Sequence, residues 1–203
     1  MFTGIVTDQG KILVAEDRSS GRYFKVATAY DTEGIDIGAS ISCNGCCLTV
    51  CELSAKGDPN WFAVEAWAEA LQLTNAAHWQ VGTTINLERS LMHGDEYGGH
   101  MVSGHVDGLA EIIKVEQEGE ATRFTLKAPD HLAKFIVPKG SVTLDGTSLT
   151  VNGVEGATFD VLIIRHTLEV TTWGKMGKGD RINLEVDQIA RYVVSLMERQ
   201  QSL

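Results

Sequence analysis

The sequence lacks any cluster of basic residues. Its 203 residues include 17 Lys and Arg against 27 Asp and Glu, which gives a formal net charge of -10 at pH 7. Proteins that bind nucleic acids usually present a basic face to the phosphate backbone. The charge balance therefore excludes DNA and RNA as expected partners.

Long apolar runs are also absent. No stretch approaches the roughly 18 consecutive apolar residues of a membrane-spanning helix. Residues 1–8 have neither the basic region nor the apolar stretch of a secretory signal. With 43% hydrophobic and 22% charged residues, the composition is that of an ordinary globular protein. We expect a cytoplasmic protein with no membrane partner.

Cysteine is scarce and confined to one place. The four cysteines, Cys43, Cys46, Cys47 and Cys51, lie within nine residues, too close together to link distant parts of the chain, so we expect reduced thiols. Cys43 and Cys46 have the spacing of a zinc-binding pair, but no second Cys/His pair follows at zinc-finger spacing. The flanking residues also resemble a strand, whose alternating side chains would not converge on one ion. We predict no metal site.

What the chain does contain is an internal repeat. Three blocks of the first half recur in the same order in the second half. Chance similarity rarely reproduces three blocks in order, so the pattern indicates two copies of one structural module. The paired blocks are residues 1–6 and 101–106, 40–50 and 141–151, and 82–88 and 179–185.

Both copies have the sequence pattern of β-structure. Their apolar runs are short, rich in β-branched residues and bounded by Gly, Asn or Asp, as in residues 141–144, 149–151 and 159–164. Turn residues recur about every ten positions, which is typical of a small antiparallel barrel or sandwich. Residues 66–73 and 130–135 have the pattern of short helices. We therefore predict an all-β fold of two tandem modules.

The C-terminus has a different pattern. After Asp187, a suitable N-cap, apolar residues recur at the spacing of one helix face. They are Ile189, Tyr192, Val193, Leu196 and Met197. This apolar stripe needs a partner surface, because a helix of this length is marginally stable alone. Two interpretations are open: the stripe packs on the chain's own barrels, or it docks against sister helices in an oligomer.

Several motifs resemble the riboflavin synthase family. The opening Met-Phe-Thr-Gly-Ile-Val looks like that family, as do residues 44–50 (Asn-Gly-Cys-Cys-Leu-Thr-Val) and 98–108 (Gly-Gly-His-Met-Val-Ser-Gly-His-Val-Asp-Gly). Residues 145–151 (Asp-Gly-Thr-Ser-Leu-Thr-Val) and 182–187 (Ile-Asn-Leu-Glu-Val-Asp) are similar to it too. The resemblance covers the whole chain, and the motifs together are highly specific.

This resemblance implies a fold and an assembly. The expected fold consists of two Greek-key β-barrels that bind lumazine, at residues 1–97 and 98–187, and a C-terminal α-helix at residues 188–203 that mediates oligomerisation. The family assembles as a homotrimer in which one subunit's N-terminal barrel faces a neighbour's C-terminal barrel. The active site is therefore expected between subunits.

The activity that the resemblance implies is the last step of riboflavin biosynthesis. It is a dismutation of two molecules of 6,7-dimethyl-8-ribityllumazine, in which one molecule donates a four-carbon unit to the other. The products are riboflavin and 5-amino-6-ribitylamino-pyrimidinedione, and no cofactor is expected. Two like substrates call for two like pockets, which gives the duplication a physical reason.

Cys47 occupies the position that the second copy fills with Ser148. In the family this cysteine lies in the N-terminal pocket near the reacting ring, which indicates a nucleophilic or polarising role. The alternative is a small, partly buried apolar side chain, as most strand cysteines are. We expect that alternative for the other three cysteines.

His105 replaces Ile5 of the first copy, so the second pocket is expected to hold an imidazole where the first has an apolar side chain. An imidazole titrates near neutral pH and suits proton transfer. The residues alone leave a functional and a structural role equally open, and the resemblance favours a base or proton relay. His100 belongs to the same motif without a clear role, and the other four histidines are expected at the surface or in local hydrogen bonds.

The resemblance also implies a set of substrate-binding residues. In the first copy they are Gly4, Ile5, Val6, Cys47, Leu48, Thr49, Glu65, Ala66, Trp67, Ala68, Glu69 and Ala70. In the second copy they are Gly104, His105, Val106, Lys139, Ser148, Leu149, Thr150, Ile163, Ile164, Arg165, His166, Thr167 and Leu168. Many relatives have Glu-Thr-Leu where this chain has Glu69-Ala70-Leu71, so the ribityl contacts of the first pocket are expected to differ. Ser40 and Asp187 match family positions linked to activity, with an exposed surface role as the alternative for either.

Two other classes of function compete with the enzyme. Lumazine proteins, which are bioluminescence antennae, share the duplicated fold and hold a lumazine or flavin without converting it. Those proteins tend to lose the reactive residues, whereas this chain keeps Cys47 and His105. A β-barrel interaction module without a small-molecule site would leave the paired pockets unexplained. The sequence therefore favours the enzyme.

Overall fold

A computed structural model of the chain describes residues 1–201 and contains two closed β-barrels. The strands of the first are β1 (Asp8–Arg18), β2 (Gly21–Ala27), β3 (Ser40–Cys43), β4 (Cys46–Leu53), β5 (Trp61–Trp67) and β6 (Thr84–Arg89). All neighbouring strands are antiparallel, and around the barrel they follow the order β1–β2–β5–β4–β3–β6.

The second barrel repeats this topology. Its strands are β7 (Gly108–Glu118), β8 (Ala121–Lys127), β9 (Ser141–Leu144), β10 (Thr147–Glu155), β11 (Thr158–Ile163) and β12 (Arg181–Val186). They close in the order β7–β8–β11–β10–β9–β12, which matches the first barrel strand for strand. The prediction of an all-β protein with two Greek-key barrels is confirmed.

Each barrel packs around its own apolar core, because alternate side chains of a strand point inward. An edge-to-face aromatic pair fills each core. The ring centroids of Phe24 and Trp79 lie 5.2 Å apart in the first barrel, and those of Phe124 and Trp173 lie 4.8 Å apart in the second. Both tryptophans come from the loop that leads into the last strand of their barrel, so packing fixes that loop as well.

A buried polar network joins the two barrels. The side-chain amide of Asn86 donates to the carbonyl of Asp145 at 2.9 Å, and its repeat partner Asn183 donates to the carbonyl of Asn44 at 2.8 Å. All four residues are buried. Because buried polar groups need partners, these matched bonds fix how the barrels sit against each other.

Two short α-helices occupy equivalent places in the repeat. α1 (Ala68–Leu73) follows β5, and α2 (Arg165–Val170) follows β11. The helix expected at residues 66–73 starts two residues late, because residues 66 and 67 still belong to β5. The prediction of a helix at residues 130–135 was wrong, since the structure has only a short 3-10 turn there, at Ala133–Phe135.

The third helix, α3 (Gln188–Gln201), follows the second barrel. Asp187 caps it as predicted, since its Oδ1 accepts the amide hydrogen of Ile189 at 2.7 Å. The five residues of the apolar stripe are between 49% and 68% exposed. The interpretation that the stripe packs on the chain's own barrels was therefore wrong. No helix within residues 1–201 is long and apolar enough to cross a membrane.

Candidate active site

The segment that precedes the first strand of each barrel crosses to the other barrel. The main-chain groups of Phe2 and Val102 bond to each other in both directions, at 2.8 and 3.1 Å, where the two segments pass. Beyond this point the amide of Ser148, in the second barrel, donates to the carbonyl of Gly4 at 2.8 Å. The N-terminal segment of the first copy thus becomes part of the second barrel's outer surface.

The matching segment of the second copy lies against the first barrel. The amide of Cys47 donates to the carbonyl of Gly104 at 2.8 Å. Gly104 has a φ of +78°, and a Cβ added there would lie 2.5 Å from the Cβ of Cys47. Only glycine combines this backbone conformation with so close an approach, so the sequence at residue 104 determines how near residue 105 comes to the thiol.

Two buried glutamates, one on the last strand of each barrel, accept main-chain hydrogen bonds from the crossing segments. Glu185 accepts hydrogen bonds from the amides of Ser103 and Gly104, at 2.8 and 2.9 Å. Its repeat partner Glu88 makes the matching pair of bonds in the other segment, at 2.7 and 2.9 Å. Burial raises the pKa of both carboxyls, and the main-chain hydrogen bonds oppose that shift. Each segment is therefore anchored at the end of its barrel's last strand.

The crossing creates a cleft of about 480 Å³ on the outside of the first barrel, called here the Cys47 cleft. Its walls come from β4, from α1 with the residue after it, and from the crossing segment of the second copy. They are Cys46, Cys47, Glu69, Ala70, Leu73, Thr74, Gly104, His105 and Val106. An adjoining cleft of about 340 Å³ shares Cys47, Glu69 and Ala70 with it, so the two form one continuous surface.

His105 belongs to the pocket of the first barrel. The expectation that it equips the second pocket was wrong, because the crossing segment carries it to the other barrel. By the same exchange Ile5 follows Gly4 on the surface of the second barrel. The thiol of Cys47 and the imidazole of His105, both predicted from the sequence to be functional, therefore line the same cleft.

Strand alternation separates the four cysteines, all of which are free. Cys43 and Cys46 point into the core, where burial raises the pKa of Cys46 to about 12 and that of Cys43 well above its usual range. Cys47 is half-buried at the cleft. Cys51 was expected to be partly buried, but it is exposed and lies with Thr49 and Cys47 on the outer face of β4. Within residues 1–201, no group of three or more His, Cys, Asp or Glu side chains is placed to hold a metal ion.

The other residues predicted for the first pocket divide into outward and inward groups. Trp67 is 59% exposed at the adjoining cleft, which Thr49 and Glu65 also line. Glu65 forms an ion pair with Arg18. Ala66 points into the core and is fully buried, so its side chain is out of reach of a ligand. Leu48 is buried as well, and Ser40 pairs with Thr49 across the β3–β4 ladder.

The residues predicted for the second pocket gather on the equivalent face of the second barrel. Ser148, Leu149 and Thr150 lie on β10, Ile163 ends β11, and residues 165–168 form the first part of α2. The Ile163 side chain is buried, whereas residue 164 is 60% exposed at the start of α2. Lys139 is exposed in the turn before β9, and its amide donates to the carbonyl of Val151 at 2.8 Å.

His100, for which the sequence suggested no role, is buried beside Ser148 of the second barrel. Its Nδ1 lies 2.7 Å from the hydroxyl of Ser148, and its Nε2 lies 3.1 Å from the hydroxyl of Thr143. Burial lowers the pKa of His100, and the carboxylate of Asp187 opposes that shift. The signal in the sequence was its position in the family motif at residues 98–108.

Comparison with known proteins assigns the chain to a family. The model of the lumazine binding domain matches the chain twice, at residues 3–90 and 103–187. The riboflavin synthase of Brucella abortus (strain 2308) is 59% identical over 98% of this chain and the whole of that protein. The chain belongs to the riboflavin synthase family.

Riboflavin synthases of more distant organisms match over nearly the same length. The enzyme of Photobacterium phosphoreum is 40% identical, with 97% of this chain and 89% of that protein covered. The enzyme of Escherichia coli (strain K12) is 37% identical, with 98% and 92% covered. The matches run through both barrels, so the riboflavin synthase family accounts for the whole duplicated chain.

Solved structures confirm the fold independently. Crystal structures of LumP complexed with riboflavin and with 6,7-dimethyl-8-(1'-D-ribityl) lumazine superpose with TM-scores of 0.81 and 0.79. Each covers 92% of this chain and 99% of LumP, at 22% and 21% sequence identity. At that identity the likeness shows the two-barrel fold of this chain alone.

Proposed function

We propose that this protein converts two molecules of 6,7-dimethyl-8-ribityllumazine into riboflavin and 5-amino-6-ribitylamino-pyrimidinedione. The observation that carries the proposal is the Cys47 cleft, where a thiol from the first copy and the imidazole of His105 from the second line one pocket. The family of the chain and the names of its relatives support the same reaction. The two products together contain all the atoms of the two substrates, so no further reactant is needed.

The chemistry requires proton transfer and addition at a ring carbon. The 7-methyl group of the substrate is unusually acidic, and ring carbon 7 is electrophilic. His105 is exposed at the cleft and acts as the base or proton relay for the methyl group. Cys47 acts as the nucleophilic or polarising group beside the ring. Holding two substrates face to face provides most of the entropic advantage, because it converts an encounter in solution into a step within one complex.

The second substrate occupies the equivalent face of the second barrel. The hydroxyl of Ser148 stands in the place of the Cys47 thiol, and His100 holds that hydroxyl at 2.7 Å. Hydroxyls of Thr49 and Thr150, at matching strand positions, can bond the carbonyls and ring nitrogens of the two pteridines. The paired sites are therefore alike in framework and different in reactive groups.

The full active site forms between subunits of a homotrimer. Both clefts of the first barrel open on its outer surface, and Trp67 is exposed beside them. The exposed apolar stripe of α3 supplies a surface that sister helices would cover. Assembly would then bring a neighbour's second barrel against the Cys47 cleft. Free cysteines and an acidic composition are compatible with a cytoplasmic location.

The proposal is tested by incubating the purified protein with 6,7-dimethyl-8-ribityllumazine alone. The expected result is riboflavin, detected by its absorbance, at a rate proportional to protein concentration. Tight binding of the lumazine without any riboflavin would overturn the proposal and favour a non-catalytic binding protein of the antenna type. Failure to bind either compound would leave only a β-barrel interaction module.

A further inference from the structure

We propose that two polar residues of α3, Gln188 and Arg191, are positioning residues that hold His105 at the Cys47 cleft. The part of the chain they hold is residues 103–107, called here the His105 segment. The inference deepens the proposed function and rests on it, because that function assigns proton transfer to His105. It adds that the helix outside the second barrel controls where the imidazole lies.

The contacts fall on both sides of His105. The side-chain amide of Gln188 donates to the hydroxyl of Ser103. The Nη2 of Arg191 lies 2.7 Å from both carboxylate oxygens of Asp107. The Asp107 side chain is only 12% exposed and also accepts a main-chain hydrogen bond from the end of β12 at 2.9 Å. A partly buried, charge-assisted contact of this kind restrains its partner more than a surface ion pair does.

The main chain alone leaves the orientation of His105 open. Glu185 holds the amides of Ser103 and Gly104, and the amide of Asp107 donates to the last strand at 2.8 Å. His105 projects between these two anchor points with its side chain exposed. The direction of the imidazole therefore depends on how firmly both ends of the segment are held, which is what the two α3 side chains determine.

The equivalent segment of the first copy has no such support within residues 1–201. Thr7 stands in the place of Asp107, and its hydroxyl bonds to the hydroxyl of Tyr30 in its own barrel at 2.5 Å. The chain that leaves β6 bonds to the residue two positions before this segment, where the amide of Leu91 donates to the carbonyl of Met1 at 3.0 Å. Among the described residues, side-chain support from a helix that follows the barrel is thus confined to the copy that carries the imidazole.

The helix that supports the His105 segment also carries the exposed apolar stripe. Gln188 and Arg191 lie one turn apart on the half-buried side of α3, and the stripe lies on its exposed side. A shift of α3 on assembly would therefore move His105, because these two side chains link the helix to the His105 segment. Packing of α3 and turnover are therefore coupled.

The test compares Arg191→Ala with a matched variant on the same interface. Lys134→Ala removes the ion pair of Lys134 with Glu198, which joins α3 to the second barrel away from His105. Sedimentation must first show that both variants form the wild-type oligomer. We then expect Arg191→Ala to lower kcat roughly 10- to 100-fold with little change in KM. Arg191→Lys should recover part of the loss, and Lys134→Ala should keep the wild-type rate. Gln188→Ala serves as the second variant if Arg191→Ala does not assemble.

A double-mutant cycle separates positioning of His105 from a general structural effect. We expect Arg191→Ala combined with His105→Ala to be no slower than His105→Ala alone, because Arg191 acts through the imidazole. If the two losses multiply, or if the assembled Arg191→Ala variant keeps the wild-type kcat, the inference is wrong.

A measurement independent of turnover completes the test. In protein labelled on histidine, the NMR resonances of the His105 ring, assigned with His105→Asn, should move in Arg191→Ala and stay in place in Lys134→Ala. Unchanged resonances in both variants would overturn the inference. If the wild-type protein forms no riboflavin, the proposed function fails, while the resonances still decide whether Arg191 positions His105.

Discussion

Cys47 and His105 occupy two of the repeat positions at which the copies differ in chemistry. Their partners Ser148 and Ile5 lie together at the second barrel, because both crossing segments change sides. One pocket thus receives the thiol and the imidazole, and the other receives a hydroxyl and an apolar side chain. The duplication produces two frameworks, of which only one holds both groups that we propose to react.

Removing either reactive group should affect turnover more than binding. We expect His105→Ala to lower kcat by about 10²-fold or more, the range of general acid–base catalysis, and Cys47→Ala to lower it as well. The affinity for the lumazine, measured by its fluorescence, should change far less. The control is Cys43→Ala, a core cysteine, which should cost about 1 kcal/mol of stability without changing kcat. Nearly full rates in both cleft variants would contradict the assigned roles.

Asp145 is a fully buried carboxyl at the contact between the barrels. Burial raises its pKa to about 7, although hydrogen bonds from Asn183 and Asn75 oppose that shift. Its Oδ1 receives those two bonds, at 2.8 and 3.0 Å, and its Oδ2 finds no hydrogen-bond donor within residues 1–201. The first copy has the neutral Asn44 in this position, so the two turns differ in charge and not in shape.

This carboxyl should make stability depend on pH. The folded-state pKa of about 7 exceeds the ordinary value of 3.8, so its contribution is full below pH 3.8 and is lost as pH rises through about 7. Asp145→Asn keeps the shape and removes the charge. We expect its melting temperature to exceed that of the wild type at about pH 8 and to approach it at about pH 5. An equal difference at both pH values would show that Asp145 is not the cause.

At the scale of elements, the sequence predicted the strands better than it predicted the segments that connect them. The repeat, the strand content and the C-terminal helix follow from patterns within each copy. The crossing of residues 1–6 and 101–106 does not, because it depends on contacts between the barrels that no local pattern encodes. Hence the sequence predicted a role for His105 but assigned it to the wrong pocket. α2 was also not predicted as a helix, since its β-branched residues Thr167 and Val170 favour a strand.

The crossing segment of the second copy should tolerate no side chain at residue 104, where it comes closest to Cys47. Gly104→Ala places a Cβ 2.5 Å from the Cys47 Cβ and strains a backbone at φ +78°. We expect it to push His105 away from the cleft and to abolish most of the activity, as a riboflavin assay would show. Gly119→Ala is the matched control: its φ is also positive, at +62°, but nothing lies within 4 Å of the added Cβ. Equal activity in the two variants would argue against the close approach as the reason for glycine.

At the scale of the whole molecule, the exposed stripe of α3 is the surface through which we propose that the homotrimer assembles. Leu196→Asp places a charge within the stripe, on a residue that is 63% exposed. We expect the fold to survive, by circular dichroism, while the oligomer dissociates in sedimentation and turnover falls with it. Gln80→Asp, an exposed residue of the first barrel, should leave both unchanged. A wild-type protein that sediments as a monomer, or a monomeric variant with full activity, would contradict a site shared between subunits.

The two-barrel architecture matters because the reaction joins two identical molecules. The measurement that tests this most directly uses an equal mixture of unlabelled lumazine and lumazine labelled with ¹³C in the four-carbon unit that is transferred. If one molecule donates that unit to another, mass spectrometry should find half of the riboflavin with one labelled unit, a quarter with two and a quarter with none. Riboflavin that never carries two labelled units, or no riboflavin at all, would contradict the account.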